Sequence, residues 1–159
     1  MLAYSYDGGN PRYGYVKLNA VFVWQSSHSG TFPLYRGVNI LLVGPHECSL
    51  LEWRHFDTFN NPTASTELNN YIQQVYRGTI IVGVSADEPT RLLSSALPTL
   101  AEIGANVADV QYRGAFAFVA RKGFPAKTVL RKAVTRVESN ANQPNFKATV
   151  TGATYCRSM

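Results

Sequence analysis

Residues 36–59, RGVNILLVGPHECSLLEWRHFDTF, decide how this chain folds. Residues 38–43, VNILLV, form a continuous apolar run bounded by Gly37 and Gly44, the pattern of a strand buried on both faces. Gly44-Pro45 breaks the run, and residues 49–56, SLLEWRHF, read as the returning strand. The ends of the stretch are more particular than a strand pair requires. Phe56 reads as core, and Asp57 and Thr58 read as short polar side chains that satisfy backbone groups at a strand end. Arg36 is the one residue here assigned to function.

Working outward, residues 13–24, YGYVKLNAVFVW, are aromatic and β-branched and predict one or two strands. Residues 26–30, SSHSG, are a polar turn. After Asn60-Asn61-Pro62 a helix is expected, capped by Thr63 or Ser65, with Glu67 in its first turn and Leu68, Tyr71, Ile72 and Val75 on one apolar face. Arg77-Gly78 stops it. Residues 79–84, TIIVGV, are a buried strand, and SADEPT, residues 85–90, is a loop at its end. Residues 92–103 predict a second helix with Leu93, Ala96, Leu97, Leu100 and Ile103 inward, which Pro98 can kink or split. Residues 107–112 are a short strand or connector, and GAFAFVA, residues 114–120, is a strand. Residues 128–137 fit helix or strand, and residues 146–150 read as a last strand. The class is mixed α+β, a sheet or pair of sheets with helices packed outside.

Length fits one domain. Charged residues make up only 16% of the chain, against about 25% in an average domain, while Tyr occurs nine times and Phe eight. That composition points to an extracellular binding surface rather than a cytosolic enzyme. The net charge of +5 comes from scattered Lys and Arg, densest between Arg121 and Arg136, and reads as the solvated flank of an element. Nucleic acid is not the expected partner, since its binders gather basic residues on one face. No apolar run spans a membrane, and MLAYSYDGGNPRYGY shows no signal peptide. Either the chain does not use the usual secretory route or it is a mature form. Cys48, in a turn, and Cys156, near the C-terminus, have no metal-site spacing. A bridge between them would pin the tail and stabilise by roughly 4–5 kcal/mol. Two free thiols are the other reading, and the redox compartment decides between them.

No GxGxxG, Walker, HExxH or GxSxG motif occurs, so no cofactor and no catalysis are expected. His28, His46 and His55 are scattered, and none sits beside a nucleophile with an orienting third group. Asp87 and Glu88 are adjacent in a loop, so they point apart and make a poor acid/base couple. The remaining signal lies at strand ends. Arg36 precedes one buried strand, Asp87 follows another and Arg113 precedes a third, so all three gather at one rim of a sheet. A guanidinium fork and a carboxylate present donors and acceptors in fixed directions, as neutral polyols require. Tyr35 and Tyr112 beside them can stack on a sugar face or on the Arg planes. The same trio can equally be a structural ion-pair cluster.

The ordered blocks YRGVNILLV, FDTF, GTIIVGVSADE, IGA and QYRGAFAFVARKG resemble the interleukin-like EMT inducer family, whose pattern is roughly RGINVVVL, FDTY, GTLVLVAVxDE, LGS and YRDSWAFVGxKG. Arg36, Gly37 and Asn39 match the first block, and Phe56, Asp57 and Thr58 the second. Gly78, Asp87 and Glu88 match the third, with Ile103 and Gly104 in the fourth. Tyr112, Arg113, Phe118, Val119, Lys122 and Gly123 match the last. The resemblance covers about residues 13–125 of a single domain spanning 1–159, leaving 126–159 as a C-terminal extension. It implies a compact module of two twisted, largely antiparallel sheets with short helices outside, a secreted setting and no catalysis. Members include cytokine-like factors and accessory modules of glycan-processing proteins. One is the stem domain of an O-mannose N-acetylglucosaminyltransferase, in which the positions of Arg36, Asp87 and Arg113 contact sugar.

This chain departs from the family at Gly114, Ala115 and Phe116, where relatives often carry Asp-x-Trp, and it has two cysteines where the cytokine-like members have four. It therefore resembles the minimal module. The expected function is a lectin for N-acetylglucosamine- or galactose-type sugars. Its ligand-binding set is Arg36, Asp87 and Arg113 with Tyr35, Glu88 and Tyr112; its partners are glycans or glycoproteins, and a homo-oligomer is needed for agglutination. The alternative is a secreted cytokine-like signalling or protein-interaction factor.

Overall fold

A computed structural model describes residues 15–18, 21–25, 35–112, 114–124 and 130–134, the strands at 15–18, 21–25 and 130–134 as backbone. The elements are β1 (Tyr15–Leu18), β2 (Val21–Gln25), β3 (Gly37–Val43), β4 (Leu50–Phe56), α1 (Ala64–Gln74), β5 (Ile80–Ala86), a 3-10 turn (Ser94–Ala96), α2 (Leu97–Glu102), β6 (Ala115–Arg121) and β7 (Leu130–Val134). Five strands make one antiparallel sheet in the order β4-β3-β5-β6-β7, and β1 and β2 pair in a separate two-stranded ladder. The class is mixed α+β. Of the two packed sheets expected, the five-stranded one with its helices is established; how the β1–β2 ladder packs rests on side chains outside the described residues.

The hairpin reading of residues 36–59 holds in register: Val38 lies opposite Phe56, Ile40 opposite Arg54 and Leu42 opposite Glu52, with an irregularity at Leu42/Val43. Every residue of β3 and β5 is buried, which is why their apolar runs are continuous rather than alternating. On one face, Val38, Ile40, Ile81, Phe116 and Phe118 join Leu68 and Ile72 of α1 and Leu100 of α2 in a single core. Each fully buried side chain of this kind is worth about 1.5–3 kcal/mol. The other face, with Leu41, Val82, Val84, Ala117 and Val119, is equally shut off from solvent.

The helices show where local chemistry was redirected. Thr63 is the N-cap residue of α1, but its side chain makes no cap bond to the backbone; its hydroxyl donates to the Glu67 carboxylate instead. Ser65, the other expected cap, lies within the helix and accepts the Ala96 N–H at 2.9 Å, tying α1 to the 3-10 turn. The helix expected over 92–103 is divided at Pro98, which occupies the first turn of α2, where a missing N–H is no loss. Residues 107–112 form a connector without strand pairing, and the ambiguous 128–137 segment resolves as β7 on the outer edge of β6. The polar turn at 26–30 and the strand expected at 146–150 lie outside the described residues.

Gly83 sits opposite Phe118 on β6, and the Phe118 ring lies where a Gly83 Cβ would be. Gly83→Ala is therefore expected to cost about 1–3 kcal/mol of unfolding free energy, read from urea denaturation. In a Phe118→Leu background the penalty should shrink, and strict additivity of the two changes would refute the steric explanation.

Candidate functional site

Antiparallel pairing brings the start of β3, the end of β4, the end of β5 and the start of β6 to one rim. Gly37 pairs with Ala86, and Val38 with Phe56. The residues just beyond these pairs are Arg36, Asp57 and Asp87. The corner between β3 and β4 is built around Gly37, which has φ of +97°, a left-handed conformation that glycine adopts without strain. A Cβ there would collide with the Phe56 carbonyl oxygen and come within 2.8 Å of the Thr58 nitrogen.

That approach sets Arg36 beside Asp57. Arg36 Nε–H donates to Asp57 Oδ1 at 3.1 Å and Nη2–H to Oδ2 at 2.7 Å, a bidentate fork. Asp57 Oδ1 also accepts the backbone N–H of Phe59 at 3.2 Å and of Asn60 at 3.1 Å. The hydrogen bond from Arg36 is the main cause holding the Asp57 carboxyl below its ordinary value, against partial burial. The same bond, with the charges of Asp57 and then Asp87, holds the Arg36 guanidinium above its ordinary value despite desolvation. The Arg36 plane lies over the Phe59 ring, 4.6 Å from its centroid, and Arg91 lies 4.9 Å from the same centroid.

Tyr35 is fixed by Asn39, which accepts the Tyr35 N–H at 3.2 Å and donates to the Tyr35 carbonyl at 2.8 Å. The Tyr35 ring stacks on Trp53 at 5.7 Å and tilts against His55 at 4.8 Å, and 42% of the residue remains exposed. Among the described residues, no Arg plane lies over it. His55 Nε2–H donates to the Arg36 carbonyl at 3.0 Å, which helps to hold the corner.

Asp87 closes β5 with φ of +58°, a left-handed conformation that Asp adopts more readily than bulkier residues. Its carboxylate is near enough to act on the Arg36 charge. Glu88 is buried, and its Oε1 accepts from the Thr90 N–H and hydroxyl, both at 2.6 Å, and from the Arg91 N–H at 3.0 Å. It shapes the loop. Thr58, also buried, donates to the Pro89 carbonyl at 2.7 Å and accepts the Leu92 N–H on its own carbonyl at 2.8 Å, so the end of β4 holds the loop carrying Asp87. Tyr112 is half exposed. Arg113 lies outside the described residues. The structure thus puts Arg36 and Asp87 at neighbouring strand ends, with the Tyr35 ring packed on Trp53 and His55.

Asp57 satisfies backbone N–H groups at the strand end as expected, but its pairing with Arg36, and the parts of Phe59 and Arg91, were missed by sequence reasoning. The hairpin register was the available signal, because pairing Val38 with Phe56 already puts Arg36 next to the residues that follow Phe56. Clefts among the described residues include one of about 340 Å³ at the β3–β4 turn and one of about 370 Å³ between β4 and α1 near Arg54 and Tyr76. Neither borders Arg36 or Asp87. Cys48, buried with φ of +53°, ends the β3–β4 turn, and Cys156 lies outside the described residues.

Residues 36–124, more than half of the chain, match the family model described as interleukin-like EMT inducer. No curated protein matches the chain.

The depressed Asp57 carboxyl contributes stability that is fully present above the ordinary value of 3.8 and lost as pH falls through the lower folded value. Asp57→Asn should therefore lower the unfolding midpoint at pH 7, by the equivalent of about 1 kcal/mol or less for so exposed a pair. The parent–variant gap should narrow as pH falls below 3.8 and close once Asp57 is protonated in the folded state. A gap unchanged at pH 2 would show that the ion pair is not its source. Gly37→Ala should cost more, about 2–4 kcal/mol by the same thermal melts, because strain and collision add.

Proposed function

The chain belongs to the interleukin-like EMT inducer family, and from that premise we propose that it is a non-enzymatic, secreted carbohydrate-binding protein. It takes N-acetylglucosamine- or galactose-type sugars at the rim of Arg36, Asp87 and Arg113, with Tyr35 and Tyr112 as flanking surfaces. The observation that supports this reading is the placement of Arg36 and Asp87 one residue beyond the Gly37–Ala86 pair, at the ends of two paired strands.

The pairing of Arg36 with Asp57 uses Nε and Nη2. It fixes the guanidinium plane and leaves Nη1 outside the fork. A pyranose hydroxyl can accept from Nη1–H and donate to the Asp87 carboxylate, so one vicinal diol satisfies both groups. Hydrogen bonds to charged groups are the stronger kind, and a pre-fixed guanidinium loses little side-chain entropy on binding. Glu88 supports the reading as the residue that shapes the Asp87 loop. Agglutination would require at least a dimer. The proposal includes a Cys48–Cys156 bridge, supported by the burial of Cys48 and by the absence of free cysteines among the described residues.

Screening the purified chain on a glycan array, with and without chelator, is expected to return N-acetylglucosamine- or galactose-terminated glycans. Asp87→Asn, which tolerates the same backbone conformation, should weaken that binding by roughly 10–100-fold. An array without hits, or an Asp87→Asn protein that binds like the parent, would rule out this site. Saturable binding to a glycan-free receptor would then favour the cytokine-like alternative. Intact mass should rise by two hydrogens on reduction if the bridge exists.

A further inference from the structure

At the opposite end of the sheet, where β5 begins and β6 ends, a second group of basic residues is treated differently. The backbones of the 76–79 turn and of Lys122 are joined by Gly78 N–H to the Lys122 carbonyl at 2.8 Å and by Lys122 N–H to the Thr79 carbonyl at 2.9 Å. This junction gathers Arg77, Arg121, Lys122 and Phe124. The Phe124 ring carries two guanidinium groups, Arg121 at 4.3 Å and Arg77 at 5.5 Å from its centroid. Two groups so close to one ring are held within ten ångströms of each other.

Their donors are mostly unspent. Arg121 uses Nε–H on the Gly78 carbonyl at 3.1 Å, which fixes its plane and leaves its Nη groups outside that bond. Lys122 Nζ donates to the Ile72 carbonyl at 2.9 Å, near the C-terminus of α1, where a cation is favourable. Among the described residues, no carboxylate pairs with Arg77, Arg121 or Lys122, whereas Arg36 is paired with Asp57 and Arg54 with Glu52. The stem of Arg77 lies against Gly123, whose φ is +75° and where a Cβ would come within 2.8 Å of Arg77 Cγ. The forks are thus positioned, and no carboxylate among the described residues compensates their charge.

We propose that Arg77 and Arg121, held on Phe124, bind sulfate esters of an acidic polysaccharide, independently of the sugar site at the other rim. A guanidinium edge matches a tetrahedral oxyanion in bidentate fashion, and two forks at this spacing suit anionic groups on neighbouring sugars. Single-stranded nucleic acid is disfavoured by the same geometry. It calls for a succession of open aromatic faces, but Phe124 is occupied by its two guanidinium groups, and among the described residues the exposed ring next to Arg77 in the chain is that of Tyr76, 87% exposed.

The test is retention of the full chain on immobilised heparin, with affinities compared at fixed salt. Arg77→Gln/Arg121→Gln should bind about tenfold more weakly than the parent. The charge-matched Arg54→Gln/Arg91→Gln variant should fall much less. Phe124→Leu, which keeps every charge but removes the ring that holds the forks, should lose a few-fold and decides the matter if the double variant does not fold. Fully desulfated heparin should not bind. Equal loss in both double variants, parent-like binding by Phe124→Leu, retention on the desulfated chain, or tighter binding to single-stranded DNA of equal charge would each overturn the proposal.

Discussion

The close approach of Gly37 to the end of β4 is the constraint on which the rim depends. Only a residue without a side chain can sit against the Phe56 carbonyl with a φ of +97°. Because it does, the chain on either side is placed within reach of its counterpart. Arg36 meets Asp57 in a two-point fork, its carbonyl accepts from His55, and Thr58 holds the Pro89 carbonyl of the next strand's exit loop. The Arg-Gly at one end of the hairpin and the Phe-Asp-Thr at the other are two halves of one corner. Neither is explained alone.

That corner shows what sequence could and could not convey. The continuous apolar runs of β3 and β5 were legible because burial on both faces leaves an unmistakable pattern. The helical spacing of Leu68, Tyr71, Ile72 and Val75 was legible for the opposite reason, since only one face of α1 is buried. Caps were less so, since a hydroxyl such as that of Ser65 can find a partner thirty-one residues away as readily as in its own helix. The rim was half legible. Strand ends identified Arg36 and Asp87, but the partner that orients Arg36 is fixed by cross-strand register, which composition and periodicity do not encode. Glu88, matched to the family as part of a pair, proves to spend one carboxylate oxygen on its own loop, because a buried acid next to backbone N–H groups is drawn to the nearest donors.

The two ends of the sheet treat arginine in opposite ways. At the Arg36 rim a carboxylate cancels most of the charge and leaves direction, which suits a neutral ligand recognised by the geometry of its hydroxyls. At the Arg121 end a backbone carbonyl and an aromatic ring do the orienting, and the charge remains. An orienting group that is itself neutral preserves electrostatic attraction. One that is anionic exchanges attraction for selectivity.

The conformation of Asp87 bears on the same distinction. A non-glycine residue at φ of +58° carries a backbone cost that surrounding contacts must offset. Here the offset is visible in Glu88, Thr90 and Thr58, which together pin the loop immediately after Asp87. A structural ion pair alone would not require it, since Asp57 already engages two of the Arg36 nitrogens from an ordinary turn. A second carboxylate, fixed by a stapled loop within electrostatic reach of an already paired guanidinium, adds little to stability at the surface. In the sugar-binding reading proposed above, its place is that of an acceptor near the Arg36 donors, a pairing of polar groups that a hydroxyl-rich ligand can use.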